Sequence, residues 1–301
     1  NFYRWNLSLY RSDAGLHEST PWYATNYDDN NWQTVNMFSQ SWGNNGLNPI
    51  GGSHWLRQDI EIPQSWNGKE ATLRLGCIVD ADSVYVNGVF VGTTSYQYPP
   101  RIYRIPAGIL RSGKNNITVR IISNGGQPGF VQEKPYKIIC DNEEINLKQK
   151  WKYRLGAPMP PAPEMMFFWY KPVCLYNAMI APLQNYSIRG VLWYQGESNV
   201  SRRNEYVALL SAMIADWRHT FNQPGLPFHI VELADFLSKD NIEGRKAWAE
   251  MRQEQAKAAA FNSNTYLIRN SDLGEWNDIH PLDKKTLGKR AAESVLNSTK
   301  Q

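Results

Sequence analysis

The amino-acid sequence predicts two domains of different fold class, an all-β sandwich over residues 1–150 and an α/β domain over residues 151–301. Two observations predict this division. Short runs of alternating polarity separated by turn residues fill the first half, whereas strands alternate with amphipathic helices in the second half. At 301 residues, with 42% hydrophobic and 20% charged residues, the chain is long and apolar enough for two hydrophobic cores.

The strands of the first half are bounded by recognisable turn signals. One run ends at Pro63, the next ends at Gly76, and a third continues through Asn87-Gly88, which is a strong hairpin signal. The predicted strands cover residues 55–62, 71–75, 83–86, 89–92, 101–105 and 116–122, the last introduced by a predicted turn at 113–115. Many short strands without a long helical pattern are typical of a β-sandwich.

A connection rich in glycine and proline follows the predicted sandwich. Gly156 and the prolines at 158, 160, 161 and 163 are poorly suited to the interior of a helix or of a central strand. Residues 151–166 are therefore expected to form an extended connection.

Strands and helices alternate after this connection. Apolar residues recur at i, i+3 and i+4 between Tyr206 and Phe221, which predicts an amphipathic helix. Further helices are predicted over 175–181, 247–260 and 282–297, and strands over 188–193, 228–233 and 265–268. This order predicts a parallel sheet with helices on both faces. Because a sheet of three strands would leave an apolar edge unpaired, we expect further strands from a segment before residue 1 or from a separate chain.

Charge and composition argue against several classes of partner. The formal net charge is +4, but Lys and Arg are interspersed with Asp and Glu, which argues against nucleic acid and against an anionic membrane surface. The sequence contains no stretch of 18 apolar residues, so no membrane-spanning helix is predicted. Any export signal is expected upstream of the first residue or already removed. Cys77, Cys140 and Cys174 lack metal-type spacing and the histidines are isolated, so no metal or other cofactor is predicted.

Aromatic residues are abundant, with 12 Trp and 16 Tyr. Flat aromatic faces beside polar groups suit sugar rings, which present axial hydrogens on one face. In most proteins, however, such residues are large pieces of the core that also find a partner for the indole N–H. We therefore expect most of these tryptophans in the core and a minority facing a ligand.

Two loops carry the residues that could perform chemistry. The first follows the strand at 188–193, where open α/β sheets bind ligands, and comprises Gln195, Gly196, Glu197, Ser198 and Asn199. Ser198 is either a nucleophile or part of the pocket floor. The second loop carries Asp278 and His280, a carboxylate that could orient a histidine base. In the alternative interpretation, Asp278 only caps the last helix and His280 is solvated.

The strand motifs of the first half resemble the sugar-binding domain of family 2 glycoside hydrolases, a jelly-roll sandwich of the galactose-binding-like type. The motifs are Trp55-Leu56-Arg57, Leu73-Arg74-Leu75-Gly76, Asp80-Ala81-Asp82, Val84-Tyr85-Val86-Asn87-Gly88 and Gly113-Lys114-Asn115-Asn116. The resemblance implies this fold but says little about a ligand, because many such domains serve as structural spacers.

Three motifs of the second half resemble the sialate O-acetylesterases, members of the SGNH hydrolase superfamily. They are Leu175-Tyr176-Asn177-Ala178-Met179, Gly190-Val191-Leu192-Trp193-Tyr194-Gln195-Gly196-Glu197-Ser198-Asn199 and Asp278-Ile279-His280-Pro281. The resemblance implies a flavodoxin-like catalytic domain that carries the sandwich as an insertion, and a serine esterase that removes acetyl groups from sugar hydroxyls. It places the Asp and His of a catalytic triad at Asp278 and His280. It also implies an extracytoplasmic location, whether periplasmic, secreted or lysosomal.

The sequence departs from this family at the nucleophile. In the family the serine lies in a Gly-Gln-Ser-Asn block ahead of the sandwich, and no such block occurs before residue 150. One hypothesis places the nucleophile on a segment absent from this chain, with Gln195 and Gly196 contributing to the oxyanion hole. The other makes Ser198, which follows a strand and opens a helix, the nucleophile and His280 its base.

Hypotheses from other functional classes also apply to this sequence. One is a non-catalytic carbohydrate-binding module with an esterase remnant, because acyl transfer needs a nucleophile and the nucleophile block of the family does not occur in this chain. A retaining glycosidase using Glu197 and Glu232 is another, but the second half is too short for a (β/α)₈ barrel of about 250 residues. The substrate stays open between O-acetylated sialic acid and other acetylated glycans.

Overall fold

The computed structural model describes residues 1–38, 42–47, 50–125, 128–164 and 171–299. The chain divides into two compact units, Asn1–Met165 and Met166–Gln301. Among the helices described, none has the length and apolar character that a bilayer crossing requires.

The first unit is built mainly from antiparallel strands. In chain order these are β1 Gln33–Val35, β2 Gly51–Ile62, β3 Ala71–Leu75, β4 Ile78–Val79, β5 Ala81–Val86, β6 Val89–Thr94, β7 Ile102–Ile105, β8 Gly113–Ser123, β9 Gly129–Phe130, β10 Tyr136–Cys140, β11 Glu143–Asn146 and β12 Trp151–Met159. They form a six-stranded sheet in the order β1-β12-β2-β8-β5-β6, a four-stranded sheet in the order β11-β10-β3-β7 and the small pair β4-β9. Two 3-10 turns, Gly43–Asn45 and Gln64–Trp66, lie between strands.

The two larger sheets share one hydrophobic core. Leu56 and Val84 from the six-stranded sheet and Leu73 and Ile138 from the four-stranded sheet belong to the same buried cluster. Burial alternates along β3 and β10, as the period of two in a strand requires when one face is covered. Two antiparallel sheets packed face to face are therefore present, as the alternating sequence pattern predicts.

The hairpin at Asn87-Gly88 confirms the turn signal. Asn87 has φ 49° and Gly88 has φ 79°, which is the left-handed pair that a two-residue hairpin loop needs. The turn predicted at 113–115 is wrong, because β8 already begins at Gly113 and Lys114 pairs with Glu61 of β2. The long partner strand β2 extends the ladder over residues that otherwise have turn character.

A helix that the sequence pattern does not predict opens the chain. It is α1, Phe2–Ser12, followed by the short α2, Ala14–His17. Trp5 and Leu9, four residues apart on one face of α1, pack with Ala157 of β12, and the Trp5 indole N–H donates to the Pro160 carbonyl at 2.8 Å. With only these two side chains buried, the apolar stripe is too narrow to read from the sequence.

Strand β12 replaces the first part of the extended connection expected after residue 150. It lies between β1 and β2, but β1 pairs only with its first three residues, Trp151 to Tyr153. Pro158 lies beyond that pairing, where the strand has an edge and a sheet tolerates proline. The register shifts between Leu155 and Ala157, so Gly156 occupies a bulge, and a Cβ there would lie 2.5 Å from Asp13 Oδ1.

The second unit alternates strands and helices. It begins with a π-turn Tyr176–Ile180 and a 3-10 turn Ala181–Leu183, where a helix is predicted. The remaining elements are β13 Val191–Trp193, a 3-10 segment Glu197–Glu205, α3 Tyr206–Thr220, β14 Phe228–Val231, α4 Ile242–Phe261, β15 Thr265–Ile268, a 3-10 turn Ser271–Leu273 and α5 Lys284–Ser298. The predicted strands and main helices are thus present, with ends that differ by a few residues.

The three strands of this unit are parallel, in the order β13-β14-β15, and helices cover both faces. Phe228 and Ile230 of β14 pack in a cluster with α3 and α4, whereas Val231 packs with Leu287 and Ala291 of α5. Within the described residues β13 is an edge strand, and Leu192 on it is 55% exposed. Further strands beside β13 remain a prediction.

Candidate active site

The carboxyl ends of the three parallel strands bring both predicted loops to one edge of the sheet. Tyr194 follows β13, Glu232 follows β14 and Arg269 follows β15. Since neighbouring strands lie about 4.8 Å apart, the ends of β13 and β15 are separated by roughly 10 Å. The loop that begins at Gln195 and the loop that leads to His280 therefore start close together.

The turn after β13 is closed by its own side chains. Gln195 Nε2 donates to Asn199 Oδ1 at 2.8 Å, and the Gly196 N–H donates to Glu197 Oε2 at 2.9 Å. One N–H of the Gln195 amide is thus engaged, while an amide nitrogen carries two. The Gly196 N–H expected in the oxyanion hole is occupied by the Glu197 carboxylate. Ser198 is exposed and opens the 3-10 segment.

Two buried side chains that the sequence pattern does not assign to the site hold this turn in place. Gln255 of α4 is fully buried; its Nε2 donates to the Gln195 carbonyl at 3.1 Å and its Oε1 accepts the Leu233 N–H at 2.8 Å. The Tyr206 hydroxyl also donates to the Gln195 carbonyl, at 3.0 Å. No local motif reveals Gln255, because it acts on strand ends 60 and 22 residues away.

Gly196 lies close to α4. Its φ is 158° and its ψ is −15°, a conformation that favours glycine, and a Cβ at this position would lie 3.0 Å from Met251 Cε and 3.1 Å from Gln255 Nε2. A larger residue would therefore push on the side chains of Met251 and Gln255.

Glu232 anchors the start of the second loop. It is almost fully buried; Oε1 accepts the backbone N–H groups of Asn270 and Ser271 at 3.0 and 3.1 Å, and Oε2 pairs with Arg269 Nη1 at 3.0 Å. Burial acts to raise the pKa of Glu232, but these hydrogen bonds outweigh it and lower the pKa below its ordinary value. The glycosidase hypothesis would use this carboxylate as a catalyst, but its oxygens are engaged in hydrogen bonds and an ion pair that hold the loop.

Asn270 links the second loop to the first. Its Nδ2 donates to the Tyr194 hydroxyl at 2.9 Å, and Lys284 Nζ lies 5.6 Å from the centroid of the Tyr194 ring. Tyr194 immediately precedes Gln195, and Lys284 is the first residue of α5. These contacts fix both ends of the second loop against the residue before the pocket turn.

Asp278 and His280 lie in a loop that is itself tightly turned. The Asp278 N–H donates to the Glu275 carbonyl at 3.1 Å, and Asp278 Oδ1 accepts the His280 N–H at 2.8 Å. Asp278 is buried and His280 is exposed. The interpretation of Asp278 as the helix cap is wrong, because Asp283 caps α5 by accepting the Thr286 N–H at 2.9 Å.

Two other acidic side chains near the site are placed differently. Glu197, the other carboxylate of the glycosidase hypothesis, accepts the Gly196 N–H and is half-buried. Asp235 pairs with Arg245 and Arg252 of α4 at 3.1 and 3.5 Å. Within the described ranges, no three side chains of His, Cys, Asp or Glu lie close enough together to hold a metal ion.

Comparison with known proteins identifies relatives of the second unit. Residues 163–297, which include every candidate site residue, match the model of a family described as carbohydrate esterase, sialic acid-specific acetylesterase. The sialate O-acetylesterase of Rattus norvegicus is 36% identical over 135 residues, covering 38% of this chain and 24% of the rat protein. The human sialate O-acetylesterase is 34% identical over 133 residues, covering 38% of this chain and 25% of the human protein.

The matched segment spans about a quarter of the length of these relatives. Among solved structures, a carbohydrate acetylesterase from Xanthomonas citri shares 17% identity at a TM-score of 0.36, covering 77% of this chain and 72% of that chain. Residues 163–297 are therefore similar to the carbohydrate esterases described as sialic acid-specific acetylesterases.

Proposed function

We propose that this chain supplies the base and the oxyanion elements of a carbohydrate esterase that removes O-acetyl groups from sialic acid or a related glycan. One observation carries the proposal: contacts of Glu232, Asn270 and Tyr194 hold the Asp278–His280 loop at the sheet edge where Gln195 lies. A buried carboxylate two residues from an exposed histidine supplies the two side chains that a histidine base and its orienting group need.

The proposed reaction is acyl transfer through a serine. His280 takes the proton of the serine hydroxyl as the oxygen attacks the acetyl carbonyl, and Asp278 orients the ring and stabilises the imidazolium. Collapse of the tetrahedral intermediate breaks the ester C–O bond, and His280 returns the proton to the departing sugar oxygen. Water then attacks the acetyl-serine in the same way, releasing acetate and restoring the serine.

Gln195 is the proposed oxyanion donor. The second N–H of its amide is available to an oxyanion, and the loss of one such donor costs roughly 3 to 4 kcal/mol of transition-state stabilisation. The backbone N–H of Gly196 could assist only after the Glu197 carboxylate releases it, since that bond is 2.9 Å long in the present conformation.

The nucleophile is proposed to lie on a segment or chain that packs beside β13. Leu192 on β13 and Leu209 on α3 are 55% and 52% exposed, which is the apolar surface that an additional strand and helix would cover. In this proposal residues 1–150 form the jelly-roll domain, residues 151–301 form the end of the SGNH-type domain, and the protein acts outside the cytoplasm.

Ser198 is retained as an alternative nucleophile because it is exposed and stands directly after the strand-to-helix turn. The non-catalytic carbohydrate-binding module is the alternative from another class. The hypotheses differ in two expected results. The first is whether this chain alone hydrolyses an ester, and the second is which serine that hydrolysis requires.

Hydrolysis of 4-nitrophenyl acetate and of O-acetylated sialic acid tests the proposal. Both would be assayed with this chain alone and with the coding sequence upstream of Asn1 restored. We expect activity only after restoration, lost in His280→Ala but kept in His219→Ala, an exposed histidine at the far end of α3. Activity of the chain alone that is lost in Ser198→Ala would refute the proposal. If neither this chain nor the restored protein hydrolyses an ester but both bind a sugar, the carbohydrate-binding module is the function supported.

A further inference from the structure

Tryptophan exposure separates one indole from all others that the structure describes. The sequence has 12 tryptophans, of which Trp169 lies outside the described residues. Trp193 and Trp217 are half-buried against the core of the second unit, and Trp276 alone among the described tryptophans is exposed, at 44%. The remaining tryptophans are buried, namely Trp5, Trp22, Trp32, Trp42, Trp55, Trp66, Trp151 and Trp248.

This exposed indole belongs to the loop that carries Asp278 and His280. The hydrogen bond from the Asp278 N–H to the Glu275 carbonyl closes a turn over residues 275–278, and Trp276 is the second residue of that turn. It therefore precedes the buried Asp278 by two residues and His280 by four. A single exposed apolar residue is ordinary on a protein surface. Here, however, the one exposed tryptophan among those described is on the loop of the proposed base, which suits contact with a ligand.

The backbone beneath Trp276 is held by the loop that follows β14. The Trp276 carbonyl accepts the Leu237 N–H at 3.0 Å, and Gly274 packs so closely on Asp235 that a Cβ would lie 2.1 Å from its carbonyl oxygen. Glu275 Oε1 in turn accepts the Leu282 N–H at 3.0 Å. An aromatic side chain on a fixed turn loses little conformational freedom when a ligand binds, which favours affinity.

We propose that Trp276 is a specificity-determining residue that binds the apolar face of a pyranose ring. The axial C–H groups of the sugar lie on the indole face, and the hydroxyl groups at the ring edge remain free to form hydrogen bonds. This inference rests on the proposed function, because it makes the sugar, and not the acetyl group alone, the feature that the site recognises. Because Trp276 precedes His280 by four residues, contact with its ring would bring the sugar to the loop that carries the proposed base.

Binding is tested first, with this chain and without any requirement for turnover. The indole N–H resonances of ¹⁵N-labelled protein are followed by NMR during titration with N-acetylneuraminic acid and, separately, with methyl β-galactoside. We expect at least one sugar to shift the Trp276 resonance saturably while the buried indoles stay in place. Trp276→Ala should weaken binding about tenfold, as removal of an aromatic anchor does, and Trp276→Phe should restore part of it.

The matched control is Phe261→Ala, which removes another exposed aromatic side chain, 75% exposed at the end of α4. Its sugar affinity should equal that of the unmodified protein. The inference is overturned if neither sugar binds, or if Trp276→Ala binds with the affinity of the control.

Turnover by the protein with its upstream coding sequence restored separates this inference from the proposed function. We expect Trp276→Ala to lower the ratio of kcat/KM for O-acetylated sialic acid to kcat/KM for 4-nitrophenyl acetate by about tenfold, mainly through KM. An unchanged ratio refutes the role of Trp276 and leaves the esterase intact. Sugar binding through Trp276 without hydrolysis of either ester supports the contact between Trp276 and the sugar and refutes the esterase.

Discussion

His54 predicts that the first unit loses stability in mild acid. The side chain is fully buried on β2, where Nδ1 lies 3.0 Å from the Tyr153 hydroxyl and Nε2 lies 3.0 Å from the Ile50 carbonyl. A neutral imidazole satisfies both contacts, because Nε2–H donates to the carbonyl and Nδ1 accepts from the hydroxyl. Burial lowers the pKa of His54 from 6.5 to about 4.

The sign of the effect follows from which state binds the proton. Between pH 6.5 and pH 4 the unfolded chain protonates this histidine and the folded chain does not, so acid favours unfolding. Relative to pH 8, the free energy of unfolding should fall by about 0.8 kcal/mol at pH 6 and by about 2 kcal/mol at pH 5 through His54 alone. Below pH 4 both states are protonated and the loss from this residue levels off.

Urea unfolding followed by tryptophan fluorescence at several pH values measures this loss. Other groups titrate in the same range, so the unmodified protein is compared with His54→Gln, which cannot protonate. The difference between the two unfolding free energies should narrow by about 2 kcal/mol between pH 8 and pH 5. A constant difference over that range would show that His54 protonates as readily in the folded state, and would refute the reasoning.

Three further predictions concern the second unit. Gln195→Ala, in the protein with its upstream coding sequence restored, should lower kcat about a hundredfold with little change in the melting temperature, and an unchanged kcat would remove Gln195 from the oxyanion hole. Gln255→Leu should lower the unfolding free energy by roughly 2 kcal/mol, because the buried Leu233 N–H loses its partner and the Gln195 carbonyl keeps only the Tyr206 hydroxyl, whereas the exposed Gln253→Leu on the same helix should have little effect. Glu232→Gln should lower the free energy of unfolding by about 2 kcal/mol at pH 7 and by less as the pH falls toward 4, because the lowered pKa of Glu232 means that its contribution depends on ionisation. Chemical unfolding at pH 7 and at pH 4 measures this loss. An equal loss at both pH values would contradict the prediction.

Much of the fold follows from patterns that are local in the sequence. Asn87-Gly88 specifies a hairpin through two left-handed residues, and the apolar spacing from Tyr206 specifies α3, because each signal is complete within a few turns of chain. The strand at 265–268 has the bounds predicted, since β-branched and apolar residues stand between turn residues on both sides.

The errors arise where the partner is distant in sequence. Pro158 is disfavoured in a central strand, yet β12 accepts it because its neighbour β1 ends early. Gln255 has an ordinary place in a helix, and its role appears only when α4 packs over the ends of β13 and β14. The proximity of Asp278 and His280 in sequence predicts a pair, but it does not predict that one is buried and the other exposed.

The bond between the Trp5 indole and the Pro160 carbonyl has a consequence for how the first unit can be combined with other structures. The indole nitrogen and the carbonyl oxygen are 2.8 Å apart although their residues are separated by 155 positions in the sequence. The first and last residues of the unit therefore lie near each other. Joining Trp5 to Pro160 through a short linker would therefore need few additional residues and would impose little strain on the unit.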